Sequence, residues 1–562
     1  MRMLSIGNIV TASLKIYRLH LSIYLSLAIQ ACLWLFIPVY GLGKFFTATA
    51  TMSRLAFTEL IGQPESFKDI KNYTQTRFRL FLFTGLITNL ILITTVVVWL
   101  FLELLILGVI AFFTDKYFTS LSLEYSIIAL TAFVLITATF VVGVNWIYSR
   151  LIIAGVPLAV EDDLKSFQAI KRSWTLTKGF LTAYRIQGIF IIASLVILPI
   201  LFLTQIGSYV IHLLVGYFYP QLSESMMIVY TWVQVSLFLV LSCLFLPFWQ
   251  ILKTVLYYDL RTKKEGFGLD ISSHNTRITR ITSNSSNSSN SSNSLTILNP
   301  IYLQTPESVE LEFNLAGIGN RAWALLIDYS ILGLSLFGFW VGWISLAIRF
   351  LEPLRIYFSD DKIGIWLLAI ATLISYFTYT GYFVIFETLW YGQTPGKRIA
   401  KIRVIRDDGT PLTIFQATLR SLLRPVDDLM FLGAFLIFFI NREKRLGDLA
   451  AGTIVIEVAS TSLTNKISIS QQAQLESENL LYRVNLSQLT PDNFSSIKEY
   501  LQHRKLMQVP AKRQLTRKLA HQLLDILHLN EIPETLSAEE FLEAVYLAYQ
   551  KQDIRESAYL TR

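Results

Sequence analysis

Charge is scarce in this chain. Asp, Glu, Lys and Arg make up 16% of its 562 residues, against roughly 25% in an ordinary soluble domain. Apolar residues fill 53% of it and the mean hydropathy is +0.49, which is inconsistent with an ordinary soluble protein and consistent with apolar surface facing lipid. Cysteine is almost missing too. Cys32 and Cys243 both lie in apolar runs, which excludes a disulfide framework and a Cys/His zinc site. Both read as buried structural thiols. Motifs for chemistry are also lacking. GQTPGKR holds a Gly-Lys pair but not the GxxxxGK[ST] spacing or its strand-to-helix setting. There is no HExxH and no Ser/His/Asp set in an assignable pocket, so the expectation is no enzyme, no cofactor and no metal. The first apolar run begins near Leu21, is long and lacks a small-residue cleavage site, unlike a signal peptide.

The net charge of +8 raises nucleic acid as a partner, but its placement argues against one. Residues 461–562 hold twelve Lys/Arg and twelve Asp/Glu. The basic excess sits instead in short loops between apolar runs, as the positive-inside rule expects for a protein whose partner is the lipid bilayer.

A helix needs about 20 apolar residues to cross the hydrocarbon core. In residues 1–270 the candidates are 21–43, 80–113, 125–156, 186–217 and 226–257, with 45–62 uncertain because it is mildly apolar and contains Arg54. Lys68, Lys71, Arg77 and Arg79 follow it, and Lys165, Lys171, Arg172, Lys178 and Arg185 fill the loop 157–185. These basic loops share a side with the basic N-terminus if 45–62 returns across the membrane, giving six spans with both ends cytoplasmic. The alternative is an interfacial helix at 45–62 after a re-entrant 21–43.

Residues 271–300 include the tract ITSNSSNSSNSSNSLT, which cannot bury surface and reads as a flexible linker. Residues 301–458 form a second membrane region. VELEF (309–313) alternates like a short strand, and spans follow at 322–349 and 363–391. KIRVIRDDGTPLTI reads as a small β-hairpin turned by Asp407-Asp408-Gly409. Residues 429–440 are apolar but short, as in a re-entrant or interfacial segment. Residues 459–562 read as a cytoplasmic helical tail, with a helix over 510–529 and a capping box Ser537-Ala-Glu-Glu540 ahead of Phe541, Val545 and Tyr549. The fold class is thus an α-helical polytopic membrane protein of about eight spans, and the tail offers a docking surface for a protein partner.

Ionisable residues within spans are costly and are the first place to look for function. Arg321 and Asp328 lie seven residues apart, about 10.5 Å along one helix face at 1.5 Å per residue. Asp328 there must pair, bind a cation or accept a proton. The competing reading is an internal ion pair with Arg420 or Arg424. Glu387 is an ion site or a partner of the Gly392–Gly396 turn. Asp427 and Asp428 follow Pro425, where they cap the helix of the short segment. Glu103 and His212 are lone polar residues that read as structural.

TPESVELEFNLAGIGNRAWALLID, FETLWYGQTPGKRIAKIRVIRDDGTPLT, LRSLLRPVDD and RLGDLAAGTIVI, between about 305 and 457, resemble the RDD family, named for one arginine and two aspartates. Arg321 and Asp328 match the arginine and first aspartate; Asp448 corresponds to the second, with Asp427 the alternative. The resemblance implies two spans and a proposed role in transport, cation/proton antiport among the suggestions. More distantly, PLAVEDDLKSFQAIKRSWTLTKG and YYDLRTKKEGFGLDI resemble the membrane region found ahead of glycerophosphodiester phosphodiesterase domains, which carries over no catalytic residue. Both imply a bacterial plasma or other inner membrane. Two functions stand side by side: a transporter of cations or protons through Asp328, and a non-enzymatic scaffold or subunit of an envelope or secretion complex.

Overall fold

The computed structural model describes residues 4–117, 123–218, 223–269, 300–304, 310–358, 362–429, 436, 443–458, 467–484, 486–533 and 536–560. The linker expected over 271–300 and most of the short segment 429–440 lie outside these.

The chain begins with α1 (Ile6–Leu19) and α2 (Leu21–Trp34), which meet at 91°. A turn leads into α3 (Tyr40–Leu60) and α4 (Phe67–Thr76). Long apolar helices follow: α5 (Phe78–Tyr117), α6 (Leu123–Leu151), α9 (Phe180–Phe218) and α10 (Ser223–Glu265), with the short α7 (Gly155–Val160) and α8 (Ser166–Leu176) between α6 and α9. The second half adds α11 (Ile318–Phe358) and α12 (Ile363–Leu389). Among the described residues six helices are long and apolar enough to span, or seven if the bent α1–α2 pair counts as one. Their outward faces are apolar and exposed, so the chain is an integral membrane protein.

Against about eight expected spans, the described residues hold six by length and composition, or seven with the bent pair. The region 45–62 is the reason: α3 is not among the spanning helices. Thr47, Thr51 and Ser53 are buried in the protein and donate to carbonyls one turn back, and Arg54 pairs with Glu65 at 2.9 Å. At 14 residues α2 is only about 21 Å long, too short to cross. Between them Phe36 (79% exposed) and Val39 (65%) form an apolar tip. A bent pair such as α1 and α2 is a broken span or a re-entrant loop.

The cysteines are not free thiols. Cys32 of α2 and Cys243 of α10 form a disulfide, with Cα atoms 6.4 Å apart, because the hairpin packs against the middle of α10. Apolar spacing alone could not show that two residues 211 apart meet.

Glycines set the close approaches. A Cβ on Gly319, in the first turn of α11, would lie 2.2 Å from the Gly7 carbonyl oxygen of α1. Small residues let helix backbones meet in this way. Asn320 locks the contact: its amide donates to Asn8 Oδ1 (2.5 Å) and Glu457 Oε1 (2.6 Å). The N-terminal helix therefore ties the two membrane halves together.

Strands β1 (Pro300–Gln304) and β2 (Glu310–Asn314) pair antiparallel. β3 (Ile402–Arg406) does not fold into the expected local hairpin. Its partner is β4 (Thr453–Glu457), with Ile402 opposite Glu457 and Arg406 opposite Thr453. The turn at 407–409 exists, since Gly409 N donates to Arg406 O, but only an isolated bridge joins Ile405 to Pro411. Pro411 lacks the N–H that a continued ladder needs. Short helices α13 (Pro395–Ile399) and α15 (Leu446–Ala451) and the amphipathic α14 (Ile414–Leu429) complete this end.

The tail comprises α16 (Gln471–Arg483), α17 (Pro491–His503), α18 (Val509–Leu527) and α19 (Ala538–Leu560). The Ser537/Glu540 box is formed, with Ser537 N donating to Glu540 Oε2 at 2.9 Å, and Phe541 and Val545 are fully buried. Gln508 N donates to Lys264 O, so the tail docks on the end of α10.

Gly319→Ala should destabilise the protein by about 1–3 kcal/mol, as overpacking does. Gly333→Ala, on the same helix with nothing near the added atom, should be neutral or stabilising. Thermal unfolding of both variants in detergent checks this; equal melting temperatures would disprove the close contact.

Candidate functional site

α11 begins at the sheet end of the molecule, where Ala316 N bonds Val455 O. That places Arg321 in its first turn, facing α15. Arg321 Nε donates to Ala316 O (2.9 Å) and Nη1 to Asp448 Oδ2 (3.0 Å). Asp448 is the third residue of α15, and its carboxylate also accepts from the Arg445 backbone N–H. Asp448 further pairs with Arg420 from α14 and with the Arg445 side chain at 3.4 Å.

Arg420 joins this group to a second one. Its Nε lies 3.2 Å from Glu387 Oε2, and its Nη1 donates to Thr453 Oγ1 at 2.7 Å. Glu387, near the end of α12, also pairs with Lys397 and lies 3.6 Å from Arg424. Arg420 and Arg424 are four residues apart, so α14 presents both on one face. Five cations (Arg321, Lys397, Arg420, Arg424 and Arg445) are thus arranged around two carboxylates. Arg424 stacks 3.4 Å from the Phe383 ring, and among the described residues its three guanidinium nitrogens have no hydrogen-bond partner.

Asp328 is not part of this ion network. Its Oδ1 accepts from Tyr382 Oη (2.9 Å) and Gly396 N (2.8 Å), and its Oδ2 accepts from Thr394 Oγ1 (2.6 Å). All three donors are neutral and the residue is 1% exposed. The competing reading, an ion pair with Arg420 or Arg424, is not formed: Arg420 pairs with Glu387 and Asp448, and Arg424 lies 3.6 Å from Glu387. The GQTPGKR turn is the receptor for Asp328. Thr394 caps α13, accepting from Lys397 N, while Gly396 lets the turn close on α11: a Cβ there would meet Ala324 O at 2.2 Å.

Glu387 accordingly does not bond that turn through its carboxylate, although its backbone oxygen accepts from Gly392 N. Asp427 caps a helix, but not the one expected after Pro425. Pro425 lies inside α14, and the Asp427 carboxylate accepts from Gly447 N at 3.1 Å, at the start of α15. Asp428's side chain and His212's fall outside the described ones; Glu103 accepts from Thr137 of α6 at 2.9 Å. Lys397 and Arg445 are members that residue spacing did not single out. Their signal was only a basic loop, and their partners come from other elements.

Two groups of this site lie outside the spanning helices and titrate abnormally. Burial lowers Lys397, Glu387 offsets this in part, and Arg420, Arg424 and Arg445 lower it further, to about 7. Burial would raise Asp448, but Arg420, Arg445 and Arg321 outweigh it and hold the carboxyl well below its ordinary value. No group of three or more His, Cys, Asp or Glu able to hold a metal occurs among the described residues.

Residues 315–452 match the RDD family, within the stretch whose motifs resemble it. Nothing among curated proteins or solved structures matches the chain significantly.

Removing Arg420 leaves Glu387 and Asp448 short of a buried partner. Arg420→Met should cost about 3–5 kcal/mol. Arg406→Met, which breaks only the exposed pair with Asp408 at 3.2 Å, should stay within about 0.5 kcal/mol. Unfolding of the two variants side by side would refute the ranking if both losses were small. Because the folded pKa of Asp448 is depressed, its contribution is present above the ordinary value of 3.8 and lost as pH falls below it. Melting temperatures at falling pH should therefore drop less in Asp448→Asn than in the parent protein.

Proposed function

We propose that this protein is a non-enzymatic membrane scaffold or subunit of an envelope complex, and that its polar cluster is a structural lock rather than a cation or proton pathway. The observation that carries this is the closure of Asp328. A coupling carboxylate has to exchange a proton or cation with a wet cavity; here three neutral donors from α12 and the 394–396 turn occupy both oxygens, and the group is buried.

The tail supports a partner-binding role. Leu475 (70% exposed) and Tyr482 (81%) lie seven residues apart on the outer face of α16, an apolar surface suited to a protein partner. The positive-inside rule puts the basic loops, both termini and this tail in the cytoplasm, and the family resemblance points to a bacterial plasma or other inner membrane.

One observation favours transport instead. Five cations outnumber the two carboxylates they pair with, and burial together with Arg420, Arg424 and Arg445 lowers the pKa of Lys397. Proton and alkali-cation flux in proteoliposomes decides between the two. The scaffold reading expects no flux with the wild type, and about 1–3 kcal/mol lower stability for Asp328→Asn, whose amide replaces an acceptor of the Thr394 bond. Flux that vanishes in a folded Asp328→Asn variant would overturn it.

A further inference from the structure

The N-terminal half holds a partly open cavity of about 570 Å³ between α3, α5, α6 and α10. That is within the range of small-molecule sites, roughly 300–1,000 Å³. Its lining is divided by polarity. Gln250 and Lys253, one turn apart on α10, form one end, and no Asp or Glu lines it. Lys253 lies inside the spanning segment Ile228–Glu265, about 18 Å from the helix end at 1.5 Å per residue.

The neighbouring polar groups are satisfied locally. Thr84, Thr88 and Ser53 donate to carbonyls one turn back, and Asn89 Nδ2 donates to Gly85 O at 2.8 Å. Among the described residues neither the Lys253 ammonium nor the Gln250 amide has a hydrogen-bond or ion-pair partner. A cation at membrane depth is costly unless it meets an anion or water. The other lining is apolar: Leu42 and Phe45 of α3 lead to Leu35. Leu35 belongs to the tip of the α2–α3 hairpin and is 46% exposed, so the cavity runs from a cation towards the lipid-facing surface. The cation lies towards the basic end of the bundle and the apolar lining towards the hairpin tip, the order of headgroup and chain in a lipid of that leaflet.

We propose that this cavity binds one anionic amphiphile, with its carboxylate or phosphate on Lys253 and Gln250 and its chain along Phe45, Leu42 and Leu35. The carboxylate of a free fatty acid and the phosphate of a lipid headgroup share this chemistry. A charge-assisted hydrogen bond of this kind sets an expected loss of about tenfold or more when the cation is removed.

The test uses the full chain in a nonionic detergent and measures equilibrium binding of oleate, lysophosphatidate, oleyl alcohol and inorganic phosphate. The wild type should bind oleate or lysophosphatidate at one per chain. Oleate alone identifies a fatty acid, lysophosphatidate alone a lipid phosphate. Lys253→Met should weaken binding about tenfold or more, Lys253→Arg should restore it, and Leu42→Trp, which fills the apolar end, should weaken it without touching the charge. The proposal is overturned if the wild type binds neither amphiphile, if Lys253→Met binds as well as the wild type, if oleyl alcohol binds equally, or if inorganic phosphate alone competes.

Discussion

A carboxylate withdrawn from water must be matched by cations and donors, and the C-terminal membrane half is arranged around two such groups. Glu387 and Asp448 are almost wholly buried. Their cations come from elements far apart in sequence: Arg321 from α11, Lys397 from α13, Arg420 from α14 and Arg445 just ahead of α15. Neither carboxylate can be satisfied until these elements have assembled, so the ion pairs make the end of the bundle cooperative. A buried network of this kind specifies one arrangement more than it adds net stability.

Asp328 follows the same rule by another route. It is buried one to two turns beyond Arg321, yet it is stabilised by a hydroxyl, a phenol and a backbone N–H. The turn that supplies two of these donors also begins α13 and so positions Lys397 for Glu387. The neutral and ionic groups are therefore joined through the short stretch from Thr394 to Lys397.

The N-terminal half uses a different means. Its helices meet through small residues: Gly43 faces Phe78 and Gly85 faces Phe46, each too close for a Cβ. Where packing is relaxed, between the hairpin and α5, α6 and α10, a cavity with an unmatched lysine is left. One half thus gathers its buried carboxylates and cations together, while the other leaves a cation open to a ligand. The glycine contact between α1 and α11 holds the two in one body, and the tail adds an exposed apolar face at the basic end.

Much of this was legible in residue order. Apolar runs marked the long spanning helices, loop charge marked the basic end, and the Ser537/Glu540 box marked the start of α19, because these signals are local and depend on hydropathy or on contacts three residues apart. The family resemblance pointed to Arg321 and Asp448, which the structure brings together, and to Asp328, which it holds apart from them. What residue order left open was decided by partners distant in the chain. Mild apolarity and Arg54 could not say whether 45–62 faces lipid or protein, since that depends on the helices around it. The strand at 402–406 could not declare its pairing with 453–457, nor Cys32 its bond to Cys243. Asp328 was visible as a costly buried acid, but which donors reach it, and which arginines other carboxylates claim first, is settled only when the helix ends are brought together, because hydrogen bonds and ion pairs act over a few ångströms of space rather than along the chain.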